Sequence, residues 1–342
     1  MYRSQPPPKR AGRANPLTRE LTMRLLALVL SSLLLLSHMA EAGPLRDLIN
    51  KRADARSSEM EEEDAADSST ALPAGVKLLA AIAYGPDKLQ KMDVYLPPPS
   101  AQAPTAQAPI IVMVHGGAWR IGDKTHSKVV TNKIARWVPK GIILVSLNYR
   151  MLPDTAPLAQ AEDVALALSV IQQKAPGWKG DSGQLILMGH SAGAHLVSLL
   201  SSQPSIATAF GAKPWLATIS LDSAALDVPT IMQRRHPRFY DQAFGKDANY
   251  WRATSPLQQL TQQSLPLLAV CSTQRRDNPC EQAYGYQRRA QELGVRVEVL
   301  EQNLNHGEIN GQLGLENPYT RRVEKFISAQ SAGLSEKLGS KP

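Results

Sequence analysis

The sequence predicts an α/β fold, a mostly parallel, doubly wound sheet of about eight strands with helices on both faces. Three observations predict it. From Val76 onward, apolar runs of strand length alternate with stretches of helical apolar spacing, the order that a parallel sheet with crossover helices requires. Two of the runs end in glycine-bearing pentapeptides, Gly189-His190-Ser191-Ala192-Gly193 and His115-Gly116-Gly117-Ala118-Trp119. Open sheets of this kind bind ligands beyond the carboxyl ends of their strands, where both pentapeptides fall. The 342-residue chain is also long enough to bury one large core.

The elements follow in order. An apolar run over 25–36 is broken only by Ser31 and Ser32, is preceded by Arg24 and is followed by Ala40-Glu41-Ala42. It is shorter than the roughly 20 residues that a membrane span needs. With a small-x-small site behind it, it reads as a secretory signal peptide cleaved after Ala42, with Met23 as the expected translation start. Residues 1–42 therefore form a leader, the product is expected to be secreted or periplasmic, and no stable membrane anchor is expected after cleavage. Residues 43–75 carry Glu61-Glu62-Glu63-Asp64 among Arg and Ser and read as a flexible polar arm. The catalytic domain is expected over 76–330, with a C-terminal tail over 331–342.

Strands are expected at 78–84, 88–95, 110–114, 142–147, 184–188, 217–220, 267–270 and 295–300, the first pair antiparallel and the rest parallel. Helices are expected near 128–138, 159–173, 192–201, 280–293 and 318–330. Ala101-Gln102-Ala103-Pro104 recurs as Ala106-Gln107-Ala108-Pro109, a low-complexity loop between strands. The segment 228–256, with Arg234-Arg235-His236, Arg238, Phe239, Tyr240, Phe244, Tyr250 and Trp251, is the natural lid or pocket wall. Its arginines read either as recognition of an acidic or aromatic substrate or as a solvated charge run over packed aromatics. The segment carries no long hydrophobic cap.

Composition excludes several functions. The formal net charge is +8, about half of it in the first 42 residues, and basic runs with interleaved aromatics are lacking, so nucleic-acid binding is not expected. Metal-ligand spacing is missing, no cofactor is implied, and nothing in the sequence specifies an oligomer.

The first pentapeptide stands between the apolar Gln184-Leu185-Ile186-Leu187-Met188 and the helix-like Ala194-His195-Leu196-Val197. A plain glycine-rich turn satisfies the local pattern. The strand and helix around it instead fit a nucleophile elbow, a tight turn that exposes Ser191 while Gly189 and Gly193 let neighbouring backbone approach. The second pentapeptide follows Ile110-Ile111-Val112-Met113-Val114. His115 and Gly116 support a loop whose Gly117 and Ala118 amides, with that of Ala192, are candidates for stabilising a developing oxyanion. His306, in Leu304-Asn305-His306-Gly307-Glu308, is the candidate general base. The order acid-then-histidine points to Asp277, on the loop after 267–270, as the carboxylate that orients it. Asp277 can equally pair with Arg275 or Arg276 on the surface, and Asp222 and Asp227 are the reserve candidates. Cys271 and Cys280 bracket this loop, and in an oxidising compartment they can form a disulfide that pins it.

On these motifs, with Met92-Asp93-Val94-Tyr95-Leu96-Pro97 and Asn148-Tyr149-Arg150, residues 77–327 resemble α/β-hydrolases of the esterase/lipase type. Within that superfamily the chain is similar to the branch carrying His-Gly-Gly-x-Trp, which includes bacterial carboxylesterases, feruloyl-esterase-like proteins and kynurenine formamidases. Relatives place the acid a short distance after a Gly-containing strand end, where this chain has Arg275-Arg276. The resemblance implies an exported serine hydrolase that cleaves small-molecule carboxylic esters through an acyl-enzyme on Ser191. An arylformamidase or other amide-cleaving member is the alternative, disfavoured by export because that chemistry is intracellular in the relatives. A non-catalytic binding protein on the same fold is the third reading.

Overall fold

The computed structural model describes residues 71–99 and 107–339. The expectations for the leader, for the arm up to residue 70 and for most of the repeat loop lie outside the described residues.

Eight strands form one sheet in the order β1-β2-β4-β3-β5-β6-β7-β8. They are β1 (Lys77–Ala83), β2 (Lys91–Leu96), β3 (Ala108–Val114), β4 (Ile143–Leu147), β5 (Gly180–His190), β6 (Ala217–Leu221), β7 (Leu267–Ser272) and β8 (Val297–Gln302). Pairing of β2 with both β1 and β4 is antiparallel, and every other pairing is parallel. The central strands are apolar throughout because both faces are covered. Side chains alternate between the two cores with period two: Ile110, Val112 and Val114 enter one, Ile111 and Met113 the other.

The first core is closed by α2 (Pro157–Lys174) and α3 (Ala192–Ser202), the second by α1 (Ser127–Trp137), α10 (Pro318–Ser328) and α11 (Ala332–Leu338). In α1, Val130, Ile134 and Trp137 recur at helical spacing and are all buried. Each such side chain contributes roughly 1.5–3 kcal/mol of transfer free energy. A smaller core lies between β7 and α8 (Pro279–Glu292). The C-terminal tail is thus partly structural: Leu334 of α11 is fully buried.

Short helices were less visible in the sequence. These are α4 (Pro204–Ala209), α5 (Val228–Gln233), α6 (Arg238–Phe244), α7 (Ala248–Ala253) and α9 (His306–Gly311). None exceeds seven residues, too few to display an apolar period.

The sheet order reverses around β3, which has β4 on one side and β5 on the other. This is the switch point at which open sheets leave a crevice. Register aligns the strand ends there, with Val114 beside Gly189, His190 beside Leu221, and Leu221 beside Val270. The loops leaving β3, β5, β6 and β7 therefore emerge side by side.

Candidate active site

Ser191 sits at the β5–α3 turn with φ 54° and ψ −116°. A non-glycine residue held in this region stores strain that the surrounding structure must fix. The fixing contacts are tight. A Cβ on Gly189 would lie 2.4 Å from the Gly193 carbonyl oxygen, and one on Gly193 would lie 2.4 Å from the carbonyl oxygens of both Val114 and His115. The two glycines therefore let the elbow close on itself and press it against the loop after β3.

That loop carries a run of positive φ: Gly117 at 104°, Ala118 at 49° and Trp119 at 61°. A Cβ on Gly117 would meet the Ile121 carbonyl oxygen at 2.1 Å. Buried side chains hold the run. His115 stacks on Tyr149 at 4.5 Å, and its Nδ1 lies 2.7 Å from the Gly116 carbonyl oxygen. The Trp119 indole donates to Nδ1 of His195, whose Nε2 in turn donates to the Thr254 carbonyl. Burial lowers both histidines to about 4, with the backbone bonds opposing it, so both rings are neutral at pH 7. Ala118 and Ala192 line one cavity with Ser191; Gly117 lies one residue behind it. As the first residue of α3, Ala192 belongs to the helix turn whose amides have no intrahelical acceptor.

His306 begins α9 and is buried. A capping box fixes the turn: Asn305 accepts from the Glu308 amide while the Glu308 carboxylate accepts from the Asn305 amide. The His306 ring lies 4.4 Å from that of His190, whose Nε2 donates to the His306 carbonyl. The imidazole Nδ1 is 2.6 Å from Oδ2 of Asp222. Its Nε2 is buried and makes no hydrogen bond.

The acid assignment needs correction. Asp277 does not reach His306; its carboxylate, 45% exposed, is held in a fork by Arg275. Asp222, at the end of β6 and fully buried, meets the imidazole instead. Its φ is 57°, its amide donates to the Val270 carbonyl, and its Oδ1 accepts from the Ser272 amide at 2.8 Å. Arg275 Nη1 donates to both Oδ2 and the carbonyl oxygen of Asp222, each at 2.9 Å. Burial pushes the Asp222 carboxyl up, but the Arg275 charge and the bonds from His306 and Arg275 outweigh it and hold the group well below the usual carboxylate range. The other reserve candidate, Asp227, caps α5 through Thr230.

Cys271 and Cys280 are joined by a disulfide with Cα atoms 5.2 Å apart, closing the loop that carries Arg275 and Asp277. The 228–256 segment contributes a pocket wall: Phe239 and Tyr240 of α6 line the cavity over Ser191. Arg234 and Arg235 are exposed. The cavity is also lined by Asp222 and by Arg275, which the sequence singled out only as a surface partner for Asp277. The cavity holds about 20 Å³, room for roughly one water-sized group. A larger cleft of about 160 Å³, bordered by Arg296, Glu298, Arg322 and Lys325, lies away from Ser191 and His306. Among the described residues no cluster of potential metal ligands is found.

Residues 92–212 match the family model described as BD-FAE, a stretch that includes both pentapeptides but neither Asp222 nor His306. Over 122 residues the chain is 30% identical to a probable isoprenylcysteine alpha-carbonyl methylesterase of Oryza sativa subsp. japonica, covering 36% of this chain and 28% of that one. Over 152 residues it is 32% identical to the kynurenine formamidase of Danio rerio, covering 44% and 47%. Each match thus spans less than half of the curated relative. Among solved structures, a truncated carbohydrate esterase from gut microbiota superposes with a TM-score of 0.64 at 16% identity, covering 77% of this chain and 99% of that one. At that identity the likeness is one of fold.

Proposed function

We propose that this chain, which has the α/β-hydrolase fold and matches the BD-FAE model over residues 92–212, is an esterase that hydrolyses small carboxylic esters through an acyl-enzyme on Ser191. The observation that carries the proposal is the His306 ring. A 2.6 Å Nδ1–Oδ2 contact places a proton between imidazole and Asp222, so in the neutral ring the free lone pair is on Nε2, which is buried and has no hydrogen-bond partner beside the elbow. An imidazole in this state is a general base.

In the proposed reaction Ser191 Oγ attacks the ester carbonyl carbon and gives its proton to His306 Nε2. The carbonyl oxygen gains the negative charge and faces the amides of Ala118 and Ala192, with Gly117 shaping the loop behind. Losing one such donor costs about 3–4 kcal/mol of transition-state stabilisation. Collapse expels the alkoxide, which takes the proton back from Nε2, and leaves the acyl-serine. Water repeats the sequence and releases the acid. Asp222 holds the ring and stabilises the imidazolium in both halves.

The wall of Phe239 and Tyr240 over Ser191 favours short acyl groups. Export is part of the proposal and rests on the signal-like leader and on the disulfide, which persists in oxidising compartments. The test is hydrolysis of p-nitrophenyl esters from acetate to octanoate by the full chain and by Ser191→Ala. Turnover fastest on acetate and lost in the variant is expected; equal turnover by both proteins refutes the assignment of Ser191. A second reading, cleavage of N-formyl amides, is favoured by the formamidase relative and by the same cavity. A formyl anilide cleaved faster than any ester in the series would establish it.

A further inference from the structure

Arg275 is a buried cation that the proposed reaction does not consume, and it lies where a general base feels its charge most. Its side chain is 10% exposed and spans two carboxylates. Inward, Nη1 donates to the carbonyl oxygen and Oδ2 of Asp222, and it lies 3.0 Å from His306 Nδ1. Because Nδ1–H points at Asp222, this last approach brings charge and no hydrogen bond. Outward, Nε and Nη2 donate to Asp277. The segment bearing both residues is closed by the Cys271–Cys280 disulfide.

Resting on the esterase reading, we propose that Arg275 is a positioning residue of this site: anchored outside by Asp277 and along the chain by the disulfide, its guanidinium locks the Asp222 carboxylate against His306 and sets the charge balance of that pair. The planar fork suits the task. A lysine reaches one carboxylate as a point charge, whereas guanidinium donors fixed in one plane bridge both. The same charge that holds Asp222 ionised also opposes a second positive charge on the imidazole 3.0 Å away.

The other groups around the pair do not replace it. His190, tilted against His306 from β5, is driven well below its ordinary value by burial and stays neutral. Tyr240 of α6 and Tyr319 of α10 are both pushed upward by burial and are neutral as well. Lys133 of α1, lowered to about 7 by burial, donates to Asn310 under α9. Lys133 itself is unchanged in every variant below. That leaves Asp277, whose partial exposure makes it the weaker counterweight.

The experiment compares wild type, Arg275→Met, Arg275→Lys and Asp277→Asn, each checked for folding by circular dichroism. Two readouts are used: the pH dependence of kcat and KM for p-nitrophenyl acetate, and NMR titration of the His306 ring, which needs no turnover. In Arg275→Met, the acid limb of kcat/KM and the NMR midpoint move to higher pH by about one pH unit or more, and kcat falls at least about tenfold with KM little changed. Arg275→Lys keeps the limb in place but recovers only part of kcat. In Asp277→Asn the limb moves the other way, by less. A purely structural arginine yields no opposed pair of shifts. A folded Arg275→Met with unmoved midpoint and limb overturns the inference, while Ser191-dependent turnover still upholds the esterase reading. Absence of Ser191-dependent turnover in wild type overturns that reading, and with it the catalytic part of this one.

Discussion

Asp222→Asn tests the acid assignment most sharply, because the structure dictates which way the amide must face. Oδ1 of Asp222 accepts from the Ser272 amide at 2.8 Å, so the asparagine oxygen is drawn to that position. Its NH2 then faces His306 Nδ1, where the carboxylate oxygen stood at 2.6 Å. Two donors cannot share that contact, so Nδ1 must become the acceptor and the imidazole proton moves to Nε2. The base is then blocked at the atom that has to take the serine proton. The NH2 also faces the Nη1 group of Arg275, which loses its side-chain acceptor and keeps only the carbonyl oxygen of residue 222. The wrong tautomer lowers kcat on the order of 10⁴-fold, about 5 kcal/mol of transition-state stabilisation. Asp277→Asn removes only a partly exposed pair and costs about tenfold or less. The assay is kcat for p-nitrophenyl acetate on the alkaline plateau, with thermal melts to confirm folding. If Asp222→Asn retains kcat within about tenfold of wild type, or falls less than Asp277→Asn does, the reasoning is refuted.

Three further outcomes are expected. Replacing Cys271 and Cys280 together by serine opens a ten-residue loop and lowers unfolding free energy by roughly 2–3 kcal/mol in the chain-entropy account, read from urea midpoints; an unchanged midpoint contradicts the pinning of this loop. His115 and His195 fall from an ordinary 6.5 to about 4 in the folded protein, so between those values only the unfolded chain gains their protons. Stability is therefore full above pH 6.5 and declines as pH drops through about 4, by roughly 3 kcal/mol per ring; urea titrations at pH 7.5, 6 and 4.5 measure it, and a flat profile excludes buried neutral rings. Tyr240→Ala removes a wall of the cavity over Ser191, and raises kcat/KM for hexanoate relative to acetate by about tenfold or more; an unaltered chain-length profile places the acyl group elsewhere.

Most of the fold was legible because it is written in long, strongly patterned runs. The stretch Ile110–Val114 announces a doubly covered strand, and the elbow and the loop after β3 announce themselves through glycines that leave no room for a Cβ. The acid was not legible in the same way. Asp222 and Asp277 both follow apolar strands, and sequence order alone cannot tell a carboxylate aimed inward from one spent on a neighbouring arginine. What separates them is long-range: the amide of Ser272, the guanidinium of Arg275 and the imidazole of His306 converge on Asp222 from 50, 53 and 84 residues away. One local signal was present. Two arginines immediately before Asp277, between bridged cysteines, leave little reason for that carboxylate to be free.

Where the carboxylate stands matters more than which strand delivers it. Asp222 leaves β6 in a left-handed turn, and its amide and Oδ1 are both bonded to β7, at Val270 and Ser272. The side chain is thereby carried sideways, over the end of the neighbouring strand, where the loop after β7 would otherwise deliver an acid. Such a turn costs on the order of 1–3 kcal/mol for a non-glycine residue, which the two bonds to β7 and the fork of Arg275 offset. With the place above β7 already filled by a carboxylate, the β7 loop is released from supplying one, and a cation becomes the residue that best completes the site. An acid delivered from β6 and an arginine on β7 are therefore one arrangement: Arg275→Asp sets two carboxylates against each other and lowers kcat for p-nitrophenyl acetate at least as far as Arg275→Met does.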